Sequence, residues 1–452
     1  MSDPKSIYGE LFADAECRTL FNDQATLQGM LDFEAALARG EADEGIIPAA
    51  TVMPIVSACR AELYDIAEIG RQTTLAGNPA IPMVKLLTAK VAETDKAAAR
   101  WVHWGATSQD AMDSGRLFQA SAGLELIEAR IAILSGTLAG LADKHRVSIM
   151  PGRTLLQHAL PTTFGLKAAY WLDALLGHAC ALKNLRPMPR IQLGGAAGTL
   201  ASLDDAGPGL RIRMSGTEAA APWHTTRQVF GRLGAELGLI SGTLGKIGCD
   251  IMLLMQTEVG EVREPAEAGK GGSSAMPHKR NPVQSLAMAA IAERTPGLVA
   301  TMFSSLVQEH ERAIGGWHAE WETLPQLFTL TSASLKHAIG LLGGLEVDTV
   351  RMRANLEMTQ GLVLSERISL ALAEKIGRLE AKAIIEEGCR ATIAKQIHLR
   401  KVLGEDTRVT THFDGAALDQ LFDLATYLGA SASTIDQVLH RYSSNSGSLP
   451  EN

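Results

Sequence analysis

Residues 264–282 read Glu264-Pro-Ala-Glu-Ala-Gly-Lys-Gly-Gly-Ser-Ser-Ala-Met-Pro-His-Lys-Arg-Asn-Pro282. Gly269, Gly271 and Gly272, the hydroxyls of Ser273 and Ser274, and the run His278, Lys279, Arg280, Asn281 are packed between two long apolar stretches. Such a segment has little to bury and much freedom to bend. Glycine reaches backbone angles that other residues avoid, and Pro282, with fixed φ and no N–H, suits the first turn of a following helix. The stretch therefore reads as a loop ending at a helix N-terminus, where unpaired N–H groups and the helix dipole favour an anion. By composition it is an ordinary polar surface loop; the order of its residues gives it another reading below.

Outward from the loop the pattern is helical. Aromatic residues make up only 5% of the chain, while Ala, Leu and Gly abound, a balance that favours helix over sheet. Upstream, residues 20–45 place Leu27, Met30, Leu31, Phe33 and Leu37 at helical spacing, and a second helix is expected over 83–98. The segment His103-Trp-Gly-Ala-Thr-Ser-Gln-Asp-Ala-Met-Asp113 punctuates the chain, with Thr107 or Ser108 suited to cap a long helix reaching about His145. Further long runs span 162–185, 224–259, 283–306 and 320–342, and 238–256 and 285–298 are apolar on most of their circumference. A helix apolar all round must be covered on every side, which predicts a bundle whose faces also meet other copies of the chain. Gly194-Gly-Ala-Ala-Gly-Thr199 lacks the strand-then-helix setting of a dinucleotide fingerprint and reads as a tight crossing of the backbone. Shorter, more charged helices follow at 363–375, 380–396 and 418–428, then a polar tail from Ser443 that is expected to fray. The expectation is a mainly all-α chain of three helical domains, 1–106, 107–348 and 349–452, the middle one a long-helix bundle.

Composition removes several function classes. A net charge of -8 over 452 residues speaks against nucleic-acid binding. The N-terminal Met-Ser-Asp-Pro-Lys lacks the form of a signal peptide, and no uninterrupted apolar stretch reaches the roughly 18 residues of a membrane span. No membrane partner is expected. Cys17, Cys59, Cys180, Cys249 and Cys389 are scattered without a C-x-x-C pair, which fits a reducing cytoplasm better than a disulfide framework or zinc site.

Four segments carry a resemblance. Gly272-Ser-Ser-Ala-Met-Pro-His-Lys-Arg-Asn-Pro282, residues 103–113, Gly152-Arg-Thr-Leu-Leu-Gln-His-Ala-Leu-Pro161, and Gln308-Glu-His-Glu-Arg312 with Trp317 to Glu322 resemble the fumarase/aspartase superfamily. Its members add to, or eliminate from, a carbon beside a carboxylate. The resemblance implies a three-domain helical fold, a homotetramer with active sites shared between subunits, and no metal or organic cofactor. It places Ser273 where the family keeps a catalytic serine, and Lys279 and Asn281 where a substrate carboxylate is held. A serine hydroxyl is a poor base near neutrality and needs nearby cations and N–H donors; Lys279, the loop amides and the helix end at Pro282 are the candidates. Thr107, Ser108 and Gln157 match substrate-binding positions, and Thr154, Ser274 and His278 lie beside them in the motifs.

One departure narrows the chemistry. Where lyases of the superfamily carry Thr-His, this chain has Thr154-Leu155, and Leu286 stands where the glutamate partner of that histidine is usual. A reaction whose nucleophile is the substrate's own carboxylate needs neither, because that group is already ionised at neutral pH and leaves without an acid in reverse. Only one proton must move, at the carbon beside another carboxylate. This points to the branch that closes 3-carboxy-cis,cis-muconate to a lactone downstream of protocatechuate ring opening, which Leu31-Asp-Phe-Glu-Ala-Ala-Leu37 and Trp317-His-Ala-Glu-Trp-Glu-Thr-Leu-Pro325 also resemble. A tricarboxylate substrate requires several cations; Arg153, Lys279 and Arg312 are chosen, because guanidinium takes carboxylate bidentately.

His103 and His158 lie in matching segments, as proton-transfer or anion-binding groups or as satisfied structural histidines. His310 and His318 form no metal-binding helical pair. The alternatives are an adenylosuccinate-lyase-like elimination, since Gly152-Arg-Thr and His103 also resemble that branch, and a noncatalytic binding or structural member of the superfamily.

Overall fold

The computed structural model describes residues 7–185, 191–215, 221–267, 269, 271–272, 275–276 and 278–446. Ten helices carry the argument: Asp23–Asp43 (α1), Ile66–Ala76 (α2), Ala80–Thr94 (α3), Ser108–Lys144 (α4), Phe164–Leu185 (α5), Gln228–Met255 (α6), Val283–Ser304 (α7), Gly316–Gly343 (α8), Ser365–Ile376 (α9) and Arg378–Lys395 (α10). Strands Ile149–Thr154 (β1) and Gln157–Thr163 (β2) pair antiparallel, as do Val262–Arg263 (β3) and Glu346–Val347 (β4). The mainly helical expectation holds, with long helices close to where the apolar period placed them. Two expectations are corrected. The helix expected over 418–428 stops at Leu421, because the Asp423 carboxylate takes the Ala425 amide and starts a separate turn. The tail expected to fray from Ser443 is helical to Ser446, and its remainder lies outside the described residues.

The chain forms two compact units: Met1–Ile131, His178–Gly245 and Ala287–Lys336 make the first; Ala132–Gly177, Lys246–Leu286 and His337–Asn452 make the second. Every boundary falls inside one of α4 to α8.

In the first unit, the Asn22 side chain caps α1 by accepting the Ala25 amide, and α1 turns Leu27, Met30, Leu31, Phe33 and Leu37 into the core. Burying each such side chain contributes about 1.5–3 kcal/mol. The same buried stripe includes Glu34 and Glu41. Helix α1 meets α4 backbone to backbone: a Cβ on Gly29 would lie 2.9 Å from Gly115 Cα, so only glycine fits. Phe21 stacks on Phe328 of α8 at 4.9 Å between ring centroids.

In the second unit, Leu364, Ile368 and Leu372 pack with Ile384, Leu399 and Leu403 into a separate core around α9 and α10. By length and composition alone α6 is long and apolar enough to cross a membrane, and half of its most apolar window is buried within the protein. It also carries Glu236, hydrogen-bonded to His178 Nδ1 at 2.7 Å, as expected for a core helix of a folded domain.

Candidate functional site

The residues singled out from sequence fall into two groups, one in each unit. In the first unit, Thr107 immediately precedes α4 and donates its amide to the carboxylate of Asp110 at 3.0 Å, half of a capping box. Ser108 is the first residue of α4. Asp110 is buried and does more than cap: its two oxygens also accept the amides of Gly194 and Gly195, each at 3.0 Å, and His224 Nε2 at 2.8 Å. The expected backbone crossing at 194–199 is thus pinned to the start of α4, with Gly195 and Gly198 at positive φ. Arg312 reaches the same place, donating from Nη2 to Thr107 Oγ1 at 2.9 Å and to the Ala196 carbonyl at 3.2 Å. Its Nε is buried without a partner among the described residues, which leaves guanidinium donor capacity for an anion.

His103 completes this group. Its Nδ1 lies 2.6 Å from Glu34 Oε1. Burial alone would lower the pKa of this ring, but the charge and hydrogen bond of Glu34, with a smaller contribution from Asp110, outweigh it and hold the imidazole above its ordinary value. Behind the motif lies a buried ionic cluster. Arg227 bridges Asp113, at 2.5 and 3.0 Å, and Glu320, at 2.5 and 3.0 Å, while Trp317 Nε1 donates to Asp113 at 3.0 Å. The pairing of these buried charges fixes the second turn of the motif.

In the second unit, β1 and β2 form a hairpin in which Arg153 faces His158 and Thr154 faces Gln157. Its two-residue turn is Leu155–Leu156, both at positive φ (49° and 65°), with Leu155 96% exposed. Arg153, expected to hold a substrate carboxylate, is already engaged within the chain. Its two Nη atoms already bind the oxygens of Glu261 at 2.9 and 2.6 Å, and Glu261 is fully buried and also accepts from Asn355 at 2.7 Å. This guanidinium clamps the hairpin. His158 has the opposite environment from His103: burial and then the neighbouring Arg153 charge lower its pKa, against a smaller opposing influence of Glu261.

The loop that opened the sequence reading is closed at its base. Asn281 donates its amide to the Gly271 carbonyl at 2.8 Å, and Gly271 sits at φ 67° with no room for a Cβ against Asn281. Lys279 and His278 are exposed, and Arg280 pairs with Glu346 at 3.0 Å. Ser273 and Ser274 lie outside the described residues. The helix N-terminus expected to receive an anion at Pro282 already has one: Glu264 accepts the amides of Gln284 at 3.1 Å and Ser285 at 2.8 Å. The loop brings its own carboxylate to cap α7, so that helix end is corrected from ligand site to internal cap.

Comparisons with known proteins identify the family. A family model described as "Lyase" matches residues 12–297, and one described as "Adenylosuccinate lyase C-terminus" matches residues 361–438. A 3-carboxy-cis,cis-muconate cycloisomerase of Pseudomonas aeruginosa is 50% identical over 446 residues, 97% of each chain. One of Bradyrhizobium diazoefficiens is 46% identical over 95% of this chain and 96% of its own. The chain belongs to the fumarase/aspartase lyase family that includes these cycloisomerases. The crystal structure of the 3-carboxy-cis,cis-muconate lactonizing enzyme from Pseudomonas putida superposes with a TM-score of 0.91 at 44% identity, covering 97% of this chain and 99% of that one. The family match to the adenylosuccinate lyase C-terminus covers only the last part of the chain, whereas the cycloisomerase relatives cover nearly all of it.

Sequence reading missed Glu34, Asp110, Glu261 and Glu264 as organising groups, although three of the four lie in stretches it quoted. The signal was available for Glu34: an acidic residue three positions after Leu31 and three before Leu37 stands on the core-facing stripe of an amphipathic helix. For Glu261 and Glu264 no local pattern marks the partner, since Arg153 is more than a hundred residues from Glu261 in sequence.

Proposed function

We propose that the protein is an intramolecular lyase interconverting 3-carboxy-cis,cis-muconate and 4-carboxymuconolactone in protocatechuate degradation. The observation that carries this is the hairpin tip: Leu155, almost fully exposed at a left-handed turn, offers no proton-transfer group where related lyases carry a histidine. A substrate carboxylate that attacks its own conjugated double bond needs no such group. The carboxylate oxygen bonds to carbon as the C=C π pair moves to the neighbouring carbon. The resulting carbanion is held as an aci-carboxylate by cations and N–H donors, and a proton is then delivered to carbon.

In this reading Arg312 and Lys279 bind substrate carboxylates, Thr107, Ser108, Thr154, Gln157, Ser274, His278 and Asn281 position the rest of the molecule, and Ser273 handles the carbon-bound proton. His103 and His158 take part in that chemistry from opposite environments, the pKa of His103 raised and that of His158 lowered. The reading includes no metal or organic cofactor. The reading includes a cytoplasmic homotetramer with sites shared between subunits, organised as segments 1–106, 107–348 and 349–452. Its support is the large apolar surface on individual helices, including Tyr170, Leu239 and Phe303.

The test is an absorbance assay. Closing the lactone removes one double bond from the conjugated diene, so ultraviolet absorbance should fall when purified protein meets 3-carboxy-cis,cis-muconate, while adenylosuccinate should be left intact. Cleavage of adenylosuccinate without muconate closure would replace this reading with the elimination. Failure to turn over or bind either one would leave the noncatalytic reading.

A further inference from the structure

His103 sits at the head of its motif in the left-handed region, with φ 60°. A non-glycine residue stays there only when its surroundings fix it. What fixes it is Glu34, which reaches from the core-facing stripe of α1 to Nδ1 at 2.6 Å; the Glu34 side chain is 1% exposed and that of His103 16%. The other ring nitrogen, Nε2, has no partner among the described residues.

Among the titratable groups around this pair, Glu34 is the carboxylate that bonds the ring. Asp110, the second carboxylate that acts on His103, is occupied by four donors: the amides of Thr107, Gly194 and Gly195, and His224 Nε2. Glu34 itself faces Glu41, two turns along α1, and the Cys59 thiol. Burial drives both of these toward their neutral forms, with the Glu34 charge adding to the effect.

We propose that Glu34 is a positioning residue for the reaction: by accepting the Nδ1 proton of His103 from inside the fold, it holds the ring as an imidazolium whose Nε2–H binds a substrate carboxylate. This rests on the reading above that His103 touches substrate. It makes His103 a fixed cation in the same group as Arg312, not a proton-transfer group. Because one ring nitrogen is fastened to a rigid helix, the other is presented in one orientation, as a second partner does for an active-site histidine.

The experiment uses the full chain with isotope-labelled histidines, the His103 ring signal being assigned by its loss in His103→Gln. The wild-type ring should titrate above the ordinary imidazole value of about 6.5, and Glu34→Gln should lower that midpoint. Steady-state kinetics above neutrality should show KM raised several-fold in Glu34→Gln, with kcat little changed and KM recovering as the pH is lowered through the new midpoint. A wild-type midpoint at or below the ordinary value overturns the proposal without reference to any variant, which covers the case in which Glu34→Gln does not fold. An unchanged midpoint in the variant, or a fall in kcat at constant KM, overturns it as well. The titration requires no substrate, so a protein that fails to close the muconate but shows the shifted ring refutes the functional reading and not the Glu34–His103 charge pair.

Discussion

Glu41 is a carboxyl group in the wrong solvent. It is fully buried, neither side-chain oxygen has a partner among the described residues, and burial followed by the neighbouring Glu34 charge pushes its pKa up to about 9. A raised carboxyl pKa means that the folded state binds more protons than the unfolded one between the ordinary value of about 4.3 and the folded value. Its contribution to stability is therefore complete at the acidic end of that window and is lost as the pH rises through it, at up to about 1.4 kcal/mol per pH unit. Glu41→Gln, which mimics the neutral acid, should flatten that slope in urea unfolding measured at several pH values, with little change near the acidic end. An unaltered slope would mean that Glu41 ionises without cost. Arg227 is the opposite case, a buried cation with both its carboxylates satisfied. Arg227→Leu strands Asp113 and Glu320 together and should cost about 3–5 kcal/mol of unfolding free energy. The motifs were legible at this scale, but their partners were not. Leu31-Asp-Phe-Glu-Ala-Ala-Leu37 displays Glu34 at a core-facing position, yet nothing local says that His103, 69 residues away, is what it meets.

At the scale of elements, the apolar period placed α1 and α4 to α8 within a few residues, because a stripe three and four residues apart is the dominant local signal in a helical chain. The β1–β2 hairpin left no such trace. A two-residue turn with both residues at positive φ is ordinarily announced by Asn or Gly, and this one is built from Leu155 and Leu156, whose strain the flanking ladder and the Arg153–Glu261 clamp must hold. Replacing Leu155 with glycine should therefore leave the hairpin intact and raise thermal stability slightly, whatever it does to turnover. The end of α7 was misjudged for a related reason: its cap lies 20 residues upstream in Glu264, on the far side of the loop. Glu264→Ala removes the acceptor for two helix amides and should cost about 1–2 kcal/mol, with Glu264→Gln recovering part of it. Where α1 crosses α4, Gly115→Val must push apart two backbones in contact and should cost about 1–3 kcal/mol or more.

For the molecule as a whole, the question is what covers its apolar surface. Leu155 and Leu156 at the hairpin turn, Ile133 on α4, Tyr170 on α5, Leu239 on α6 and Phe303 on α7 are all exposed in the single chain. Scattered apolar side chains are normal on a protein surface, but residues of this size on helices that are otherwise core are the expected mark of faces that close against further copies. If the proposed tetramer forms, sedimentation should give a species of four times the 48.1 kDa chain mass. Leu239→Glu, which puts a charge on such a face, should shift the protein toward smaller species while circular dichroism stays helical. Because the proposed sites draw residues from several subunits, specific activity should fall in parallel with the tetramer fraction as either protein is diluted, and should return on concentration. A single-chain species that closed the muconate at the full rate would separate catalysis from assembly, and the exposed Leu155 turn would then have to be explained within one chain.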